Sequence, residues 1–348
     1  MNLFLYTLPE KMMYFTSSLV SRLINGKKDL RNITYKKILC IKLDEIGDLC
    51  YSVHVFSMLK KQFPEAEITL LCKPFAVSLT QFDPNLNTVT CDINELKNDF
   101  NLIVDLRGNW RTIFFALINW PKARLDRGTV RWENRKAGKH PHEVLTNLQI
   151  VKPIISDENQ HTKPELFFEE KALQKVDDFI LQNSISQFVI LHTGARKSLR
   201  KWDKYNQLAS YLKEKRGLDI LFIGDKYDTK DIEILQQKIP FKTYDVSGIF
   251  NLSEFAALAS KATIYIGNES GPLHIATLSG ASVIGLFGPG EPFIFYPWSD
   301  KAAYVHHVLT CNPCDQINCI HPDNPCIKRI TLDEVVEKVN DLLSENKT

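Results

Sequence analysis

The stretch from residue 264 to residue 292 constrains the fold more than any other part of the sequence. It opens with an apolar run, Ile264 to Ile266, that predicts a buried strand, followed by small and polar residues that suit a tight turn. Pro272 fits the first turn of a helix, where its missing N–H is not needed. A second apolar run, Ser282 to Phe287, then leads into a glycine turn at residues 288–290. The order strand, turn, helix, strand predicts a parallel crossover with a helix N-terminus beside the end of the first strand.

A helix N-terminus in this place favours an anion such as a phosphate, although an ordinary strand–helix crossover has the same shape. The identities of the residues are more specific than the order of strand, turn and helix. Residues 267–274, G-N-E-S-G-P-L-H, resemble the signature of glycosyltransferase family 9, the heptosyltransferases of lipopolysaccharide assembly, and residues 285–289 continue the resemblance. The family usually has Asp where this chain has Glu269. The longer side chain keeps the charge but shifts any contact that it makes with a sugar hydroxyl.

A second motif lies near the amino terminus, where K-L-D-E-I-G-D occupies residues 42–48. It follows a predicted core strand, Ile38 to Lys42, and precedes a predicted helix from Leu49 to Gln62, with another strand from Ile68 to Cys72. On the residues alone, Asp48 is a helix cap. The motif also resembles the family's amino-terminal motif, which implies that Asp48 is the general base; Asp44 and Glu45 are expected to be solvated or structural.

A basic loop, T-G-A-R-K-S-L-R-K-W at residues 193–202, follows a predicted strand that ends at His192. Small residues for close approach and four cationic side chains predict a diphosphate site. Family members commonly have Lys-Arg-Trp where this chain has Arg200, Lys201 and Trp202, so either cation could hold the phosphates. For His274 a supporting role inside the turn is favoured over donor contact. The predicted donor-binding residues are Thr193, Gly194, Arg200, Lys201, Glu269, Ser270, Gly271 and His274.

A basic segment runs from residue 122 to residue 142, after a predicted strand, Leu102 to Leu106. Such a run is usually a solvated face, but here it lies in the half expected to bind the acceptor. Arginine side chains offer paired donors to a phosphorylated saccharide. The predicted acceptor-binding residues are Arg107, Arg124, Arg127 and Arg131.

The resemblance covers roughly residues 37 to 345 and implies the GT-B architecture, with two Rossmann-like domains facing each other across a cleft. A chain of 348 residues is long enough for two domains. We expect an N-terminal acceptor domain over residues 37–164, with a linker from about 151 to 164, and a nucleotide-sugar domain over 165–330. A final helix is expected over 331–348. A net charge of +2 gives no sign of a nucleic-acid partner, and none is predicted.

Residues 1–36 form a predicted extension, amphipathic and then basic. The apolar residues Met12, Met13, Phe15, Leu19, Val20, Leu23 and Ile24 are predicted to share one helical face, and Lys27, Lys28, Arg31, Lys36 and Lys37 follow. This face could lie on an anionic membrane or pack on the chain's own core. Pro9-Glu10-Lys11 argues against a signal peptide. We expect a cytoplasmic protein, with peripheral contact at the cytoplasmic face of the inner membrane left open.

The cysteines fall into two groups. Cys40, Cys50, Cys72 and Cys91 are scattered and predicted to be small core residues. The spacing of Cys311, Cys314, Cys319 and Cys326 could bind a structural zinc ion tetrahedrally, with disulfides and unbridged thiols as the alternatives.

The resemblance implies an inverting transfer of heptose from a nucleotide-diphosphate sugar, ADP-heptose, to an anionic lipopolysaccharide-type acceptor. Asp48 would take the proton of the acceptor hydroxyl, while Arg200, Lys201 and the N–H groups near Ser270 would stabilise the leaving diphosphate. The sequence has no D-x-D pair placed to hold a metal at the phosphates, so no cofactor is expected for catalysis. A sugar-nucleotide epimerase of similar fold and a catalytically silent binding protein remain the alternatives.

Overall fold

A computed structural model describes residues 8–97, 99–314 and 316–345 of the chain. The fold divides into two compact units, residues 1–167 and 168–348. Each unit is built on one parallel sheet, and the boundary lies in a segment without helix or strand, residues 160–169, that overlaps the end of the expected linker. Among the described residues, no helix is both long enough and apolar enough to cross a membrane.

The first unit has a five-stranded sheet with the order β3-β2-β1-β4-β5, in which every pair is parallel. The strand order reverses at β1, between β2 and β4, and ligands of such sheets bind outside the carboxyl ends of the strands at this point. The strands are β1 Lys37–Lys42, β2 Glu67–Cys72, β3 Thr88–Thr90, β4 Leu102–Asp105 and β5 Ala123–Asp126. The helices are α1 Leu8–Asn25, α2 Ile46–Cys50, α3 His54–Gln62, α4 Pro74–Thr80, α5 Trp110–Asn119, α6 Arg127–Lys136 and α7 Glu143–Val151.

The second unit has a six-stranded sheet with the order β11-β10-β9-β6-β7-β8, again parallel throughout. Its order reverses at β6, so the loops after β6 and β9 leave the sheet side by side. The strands are β6 Phe188–His192, β7 Asp219–Ile223, β8 Tyr244–Asp245, β9 Ile264–Asn268, β10 Val283–Phe287 and β11 Ala302–His306. The helices are α8 Glu170–Gln182, α9 Tyr205–Arg216, α10 Thr229–Gln236, α11 Leu252–Lys261, α12 Gly271–Leu278, α13 Pro292–Phe295 and α14 Leu332–Glu345.

The central strands of both sheets are mostly apolar and almost fully buried. Every residue of β6, β9 and β10 is buried, which is the pattern of a parallel sheet rather than of a sheet with one wet face. Three of the four scattered cysteines are buried as predicted, at positions 40, 50 and 72. The prediction is wrong for Cys91, which is exposed in the loop after β3.

The predicted strands agree with the observed ones to within two residues at each end, but one predicted helix is divided. Helix α2 ends at Cys50, a turn follows, and α3 begins at His54. Within this turn the hydroxyl of Ser52 donates to the carbonyl of Leu49 at 2.8 Å, a local bond that competes with helix continuation. The break leaves Asp48 in a short helix of its own.

Helix α1 is integrated into the first unit, and its apolar residues do not share one face. Tyr14, Val20 and Ile24 are buried, whereas Met12, Phe15, Leu19 and Leu23 are 48–60% exposed. The buried side also contains Ser17 and Ser21, which lie off the apolar face that the sequence predicts. The hydroxyls of Ser17 and Ser21 each donate to Asp126 at 2.6 Å, so they satisfy a carboxylate that the sheet buries.

Arg124 lies at the centre of this buried contact and has no exposed surface. Its guanidinium nitrogens lie 2.8 Å from Asp105 Oδ2 and 3.1 Å from Asp126 Oδ2. Burial would raise the pKa of Asp126, but the Arg124 charge and the hydrogen bonds from serine and threonine hydroxyls outweigh it and lower that pKa. Arg124 therefore ties β4, β5 and α1 together.

Candidate active site

The loops after β6 and β9 are joined by one side chain, Asn268. It is fully buried at the carboxyl end of β9, and its amide nitrogen donates to the carbonyls of Thr193 at 2.9 Å and Gly194 at 3.3 Å. Its amide oxygen accepts from the backbone N–H of Trp202 at 3.1 Å. One amide thus fixes both ends of the basic loop, residues 193–202, against residues 267–274, which we call the signature segment.

Gly194 is required by close packing within this loop. A Cβ at this position would lie 2.2 Å from Oδ2 of Asp228, the residue that precedes α10. The carbonyls of Thr193 and Gly194 are both used by Asn268, so these two residues shape the loop through their backbone.

The two cations that the sequence left as alternatives have different surroundings. Nη1 of Arg200 lies 3.4 Å from Oε1 of Glu269, and its Nε donates to the Gln316 side chain at 2.7 Å. Nζ of Lys201 instead lies 2.9 Å from Asp231 Oδ2 and 3.4 Å from Asp228 Oδ1. Arg200 therefore lies at the signature segment, while Lys201 is engaged by the carboxylates around the start of α10.

Glu269 is a buried carboxylate with an unused acceptor. Its Oε2 has no hydrogen-bond partner in the part of the chain that the structure describes. Burial raises the pKa of Glu269, and the nearby charge of Arg200 opposes that shift only in part. A Cβ on Gly290 would lie 1.9 Å from Oε2, so only glycine fits against this carboxylate. Such a carboxylate is suited to accept a hydrogen bond from a hydroxyl of a ligand.

Ser270 precedes α12, and its side chain makes no capping bond to that helix. Its hydroxyl donates to the Asn268 carbonyl at 3.0 Å and lies 3.2 Å from Nδ1 of His192. Burial lowers the pKa of His192 to about 4, so this imidazole is neutral at physiological pH. The N–H groups that open α12 at Gly271 therefore face the site without a side-chain cap, while His274 is buried within the helix.

Asp48 lies in the other unit, at the carboxyl end of β1. Helix α2 begins at Ile46 with Glu45 in the N-cap position, so Asp48 is inside the helix and does not occupy the cap. Its side chain is 28% exposed, and Oδ1 lies 3.6 Å from Nη2 of Arg127. The arrangement leaves an accessible carboxylate beside a positive charge.

Arg127 is held by a buried network of carboxylates. Its Nη2 lies 2.9 Å from Glu143 Oε2, and its Nη1 lies 3.7 Å from Asp44 Oδ2. Burial would raise the pKa of Glu143, but the charges of Arg127 and Arg131 lower it to about 2. Asp44 is buried and also pairs with Lys42 at 2.9 Å, so it is structural rather than solvated.

The four predicted acceptor arginines are not equivalent. Arg107 contacts Asp44 and keeps 43% of its side chain exposed, whereas Arg131 is mostly buried against Glu143, with 17% of its side chain exposed. Arg127 lies beside Asp48. Arg124 differs from the prediction, because a fully enclosed guanidinium paired with two carboxylates has no surface to offer an acceptor.

The clustered cysteines Cys311, Cys314, Cys319 and Cys326 line one cavity of about 40 Å³. Burial raises the pKa of the Cys326 thiol. No three His, Cys, Asp or Glu side chains in the described ranges are arranged to hold a metal ion. No disulfide joins any of the eight cysteines, all of which lie in described parts of the chain.

Several residues of the site were missed by the sequence reasoning. Asn268 and Gly290 lie in the quoted motifs, but neither was given a role. Asn268 could have been found from the sequence, because it is an amide residue at the end of an apolar run that predicts a buried strand. Glu143 and Asp228 carry no local signal, because their roles depend on partners that the fold brings to them.

Residues 94–323 match the model of glycosyltransferase family 9 (heptosyltransferase). The lipopolysaccharide core heptosyltransferase OpsX of Haemophilus influenzae is 23% identical over 290 residues, which cover 76% of this chain and 82% of that protein.

Solved structures show the same fold. A glycosyl transferase family 9 structure from Veillonella parvula has a TM-score of 0.75 at 17% identity and covers 91% of this chain and 99% of its own. The ADP-heptose lipopolysaccharide heptosyltransferase II of Escherichia coli has a TM-score of 0.69 at 18% identity, with 90% and 100% covered. The likeness confirms the predicted GT-B fold of two Rossmann-like domains.

One further solved structure of this fold is that of an iron-containing protein. The dodecameric iron-containing heptosyltransferase TibC, solved with ADP-D-beta-D-heptose, has a TM-score of 0.57 at 14% identity and covers 90% of this chain and 77% of its own.

The environment of Glu269 predicts that this carboxylate destabilises the protein when no ligand is bound. Folding raises the pKa of Glu269 above its value in the unfolded chain, which is about 4.3. The carboxyl therefore stabilises the folded protein below about pH 4.3. This stabilisation is lost as the pH rises through the pKa that the group has in the folded protein. Glu269→Gln should therefore raise the unfolding temperature at pH 7 through a gain on the order of 1 kcal/mol, the scale of one unsatisfied buried polar group. The difference should shrink as pH approaches about 4.

The matched control is Glu233→Gln, which changes an exposed glutamate on α10 and should leave the unfolding temperature unchanged. Thermal unfolding of both variants without ligand is the measurement. A lower unfolding temperature for Glu269→Gln at pH 7 would mean that the ion pair with Arg200 outweighs the cost of burial.

Proposed function

The chain belongs to glycosyltransferase family 9, and from this premise we propose that it transfers a heptose from a nucleotide-diphosphate sugar to a lipopolysaccharide-core or related saccharide. The expected donor is ADP-heptose, and the expected outcome at the anomeric carbon is inversion. The observation that carries the proposal is the buried, unpartnered Oε2 of Glu269 beside Arg200, in the signature segment at the carboxyl end of β9. We infer that the reaction takes place on the cytoplasmic side of the inner membrane.

The donor is assigned to the second unit. Arg200 and the uncapped N–H groups at the start of α12 supply positive charge for the diphosphate, which becomes more negative as it leaves. Glu269 would accept a hydrogen bond from a hydroxyl of the sugar. Lys201 is already paired with Asp228 and Asp231, so we expect it to support the loop more than to bind the phosphates directly.

The acceptor is assigned to the first unit, with Asp48 as the general base. Asp48 takes the proton of the acceptor hydroxyl, and that oxygen forms a bond to the anomeric carbon as the bond to the diphosphate breaks. Arg127 lies 3.6 Å from this carboxylate and is itself fixed by Glu143, so it positions Asp48. Arg107 and Arg131 are the proposed contacts for anionic groups of the acceptor.

Asp48→Asn tests the assignment of the base. Asparagine keeps the size of the side chain but cannot accept the proton, so turnover should fall on the order of 10²–10⁴-fold. Donor affinity should stay near that of the wild type, because the donor is assigned to the other unit. Turnover is measured as ADP released from ADP-heptose, with and without a lipopolysaccharide-core acceptor. The control Asp157→Asn changes an exposed aspartate of the same unit and should leave turnover unchanged.

The same assay compares the two donor-loop cations. Arg200→Met should lower both donor affinity and turnover, and Lys201→Met should have the smaller effect because its charge is already paired. An Asp48→Asn protein with normal turnover would leave the mechanism without a base. Acceptor-independent conversion of the donor to free or epimerised sugar would contradict glycosyl transfer and favour an epimerase.

We propose in addition that Cys311, Cys314, Cys319 and Cys326 form one structural metal site, with zinc as the expected ion. Four thiols that line a single small cavity are a suitable donor set for tetrahedral zinc once they are brought to coordination distance. Elemental analysis of the purified protein should find about one equivalent of zinc, and Cys314→Ser with Cys319→Ser should remove it, while the control Cys91→Ser should not. Metal below a tenth of an equivalent in the wild type would exclude the site, and iron in place of zinc would correct the choice of ion.

A further inference from the structure

Helix α1 carries a row of large apolar side chains on its outer side. Met12, Phe15, Leu19 and Leu23 follow each other at intervals of three and four residues, so they form one stripe along the helix. They are exposed, while the opposite side of α1 is buried against β5 and α6. A surface helix normally turns polar residues outward, so this stripe needs a partner.

Helix α5 carries a second stripe of the same kind. Trp110, Phe114 and Ile118 follow each other at intervals of four residues, and Trp120 comes directly after the helix. These four side chains are 41–78% exposed. The two helices cover the same face of the first sheet, because their inner residues belong to one core cluster, which contains Val20, Ile24, Leu39, Ile41, Ile103, Ile113 and Ala116. Their outer sides therefore both point away from the sheet. We refer to the eight exposed residues, Met12, Phe15, Leu19, Leu23, Trp110, Phe114, Ile118 and Trp120, as the docking face.

The docking face has a basic border. Nζ of Lys28 donates to the carbonyls of Ile24 and Lys122, so the two lysines, both exposed, lie together at the end of α1. Exposed Arg22 and Arg111 lie on α1 and α5, and α5 contains no carboxylate. Cations therefore dominate the edge of the apolar surface.

A groove between α1 and α6 extends this pattern. The groove encloses about 400 Å³ and is lined by Lys11, Met12, Phe15, Trp132, Arg135 and Lys136. The rings of Phe15 and Trp132 pack edge to face with centroids 5.5 Å apart, and Lys136 Nζ lies 5.1 Å from the Trp132 ring centroid. Aromatic rings beside cations are the combination that proteins use at the boundary between acyl chains and phosphate headgroups.

We propose that the docking face binds the surface of an anionic phospholipid membrane. Helices α1 and α5 lie flat on the bilayer, their apolar side chains enter the acyl-chain boundary, and the basic border contacts lipid phosphates. A second copy of this chain fits less well, because a symmetric contact would bring the basic borders together. The choice of a membrane also rests on the proposed function, in which the acceptor is itself a lipid.

The test is flotation of the full-length protein with two kinds of vesicle, one of phosphatidylcholine alone and one that also contains phosphatidylglycerol. The wild type should float with the anionic vesicles, and binding should weaken as salt screens the basic border. Leu19→Ser with Leu23→Ser, and separately Phe114→Ser with Ile118→Ser, should each reduce binding about tenfold or more, because apolar burial sets the strength of such contacts. These side chains point outward, so the variants should unfold at the wild-type temperature.

The control is Leu181→Ser, which removes a still more exposed leucine from α8 of the second unit and should leave flotation unchanged. The proposal is overturned if the wild type stays unbound, if both double variants float as well as the wild type, or if the face proves to hold two copies together. Self-association would appear as a dimer on sedimentation that the double variants abolish. Flotation needs no donor or acceptor, so its result is independent of the test of heptose transfer.

Discussion

The candidate donor site depends on the side-chain amide of Asn268. Because β6 and β9 are neighbours in a parallel sheet, their loops leave the same edge, and the amide bonds both ends of one loop to the end of the other strand. The position needs donors and an acceptor on one short side chain, and aspartate could not donate to the two carbonyls. With the loop fixed in this way, Arg200 lies at Glu269 and Lys201 lies at the carboxylates of α10. The different partners of Arg200 and Lys201 therefore follow from one buried amide.

The first unit is organised by buried charge. Arg124 is enclosed by Asp105, Asp126 and the serines of α1, and Arg127 is enclosed by Asp44 and Glu143. Removing one partner from such a cluster leaves an uncompensated charge, so each cluster holds its elements in a single arrangement. The first cluster fixes α1 on β5, which turns the apolar stripe of α1 outward. The second fixes Arg127 beside Asp48. The proposed docking face and the proposed catalytic carboxylate thus depend on neighbouring arginines with different partners.

The sequence predicted what local pattern controls. Buried strands are continuous apolar runs, and residues 267–274 combine a glycine turn with a strand end. The amino-acid sequence therefore predicted the two parallel sheets and the loops after β6 and β9. Partners distant in sequence could not be predicted. Ser17 lies 109 residues from Asp126, and nothing in its own neighbourhood indicates that it would be buried and the apolar residue Leu19 exposed. The basic run likewise gave no means of distinguishing Arg124, which is enclosed, from Arg107, which is accessible. The proposed role of Asp48 as the base comes from the family resemblance, and its partly exposed position inside α2 agrees with that role.

Heptose transfer to lipopolysaccharide is tested most directly by the mass of the lipopolysaccharide in cells that carry or lack this gene. Mass spectrometry of lipopolysaccharide from a deletion strain should show a core truncated at one heptose. The wild-type gene should restore the full mass, and a gene encoding Asp48→Asn should fail to do so although its protein accumulates normally. Lipopolysaccharide of unchanged mass in the deletion strain, with no other gene supplying the activity, would contradict the account.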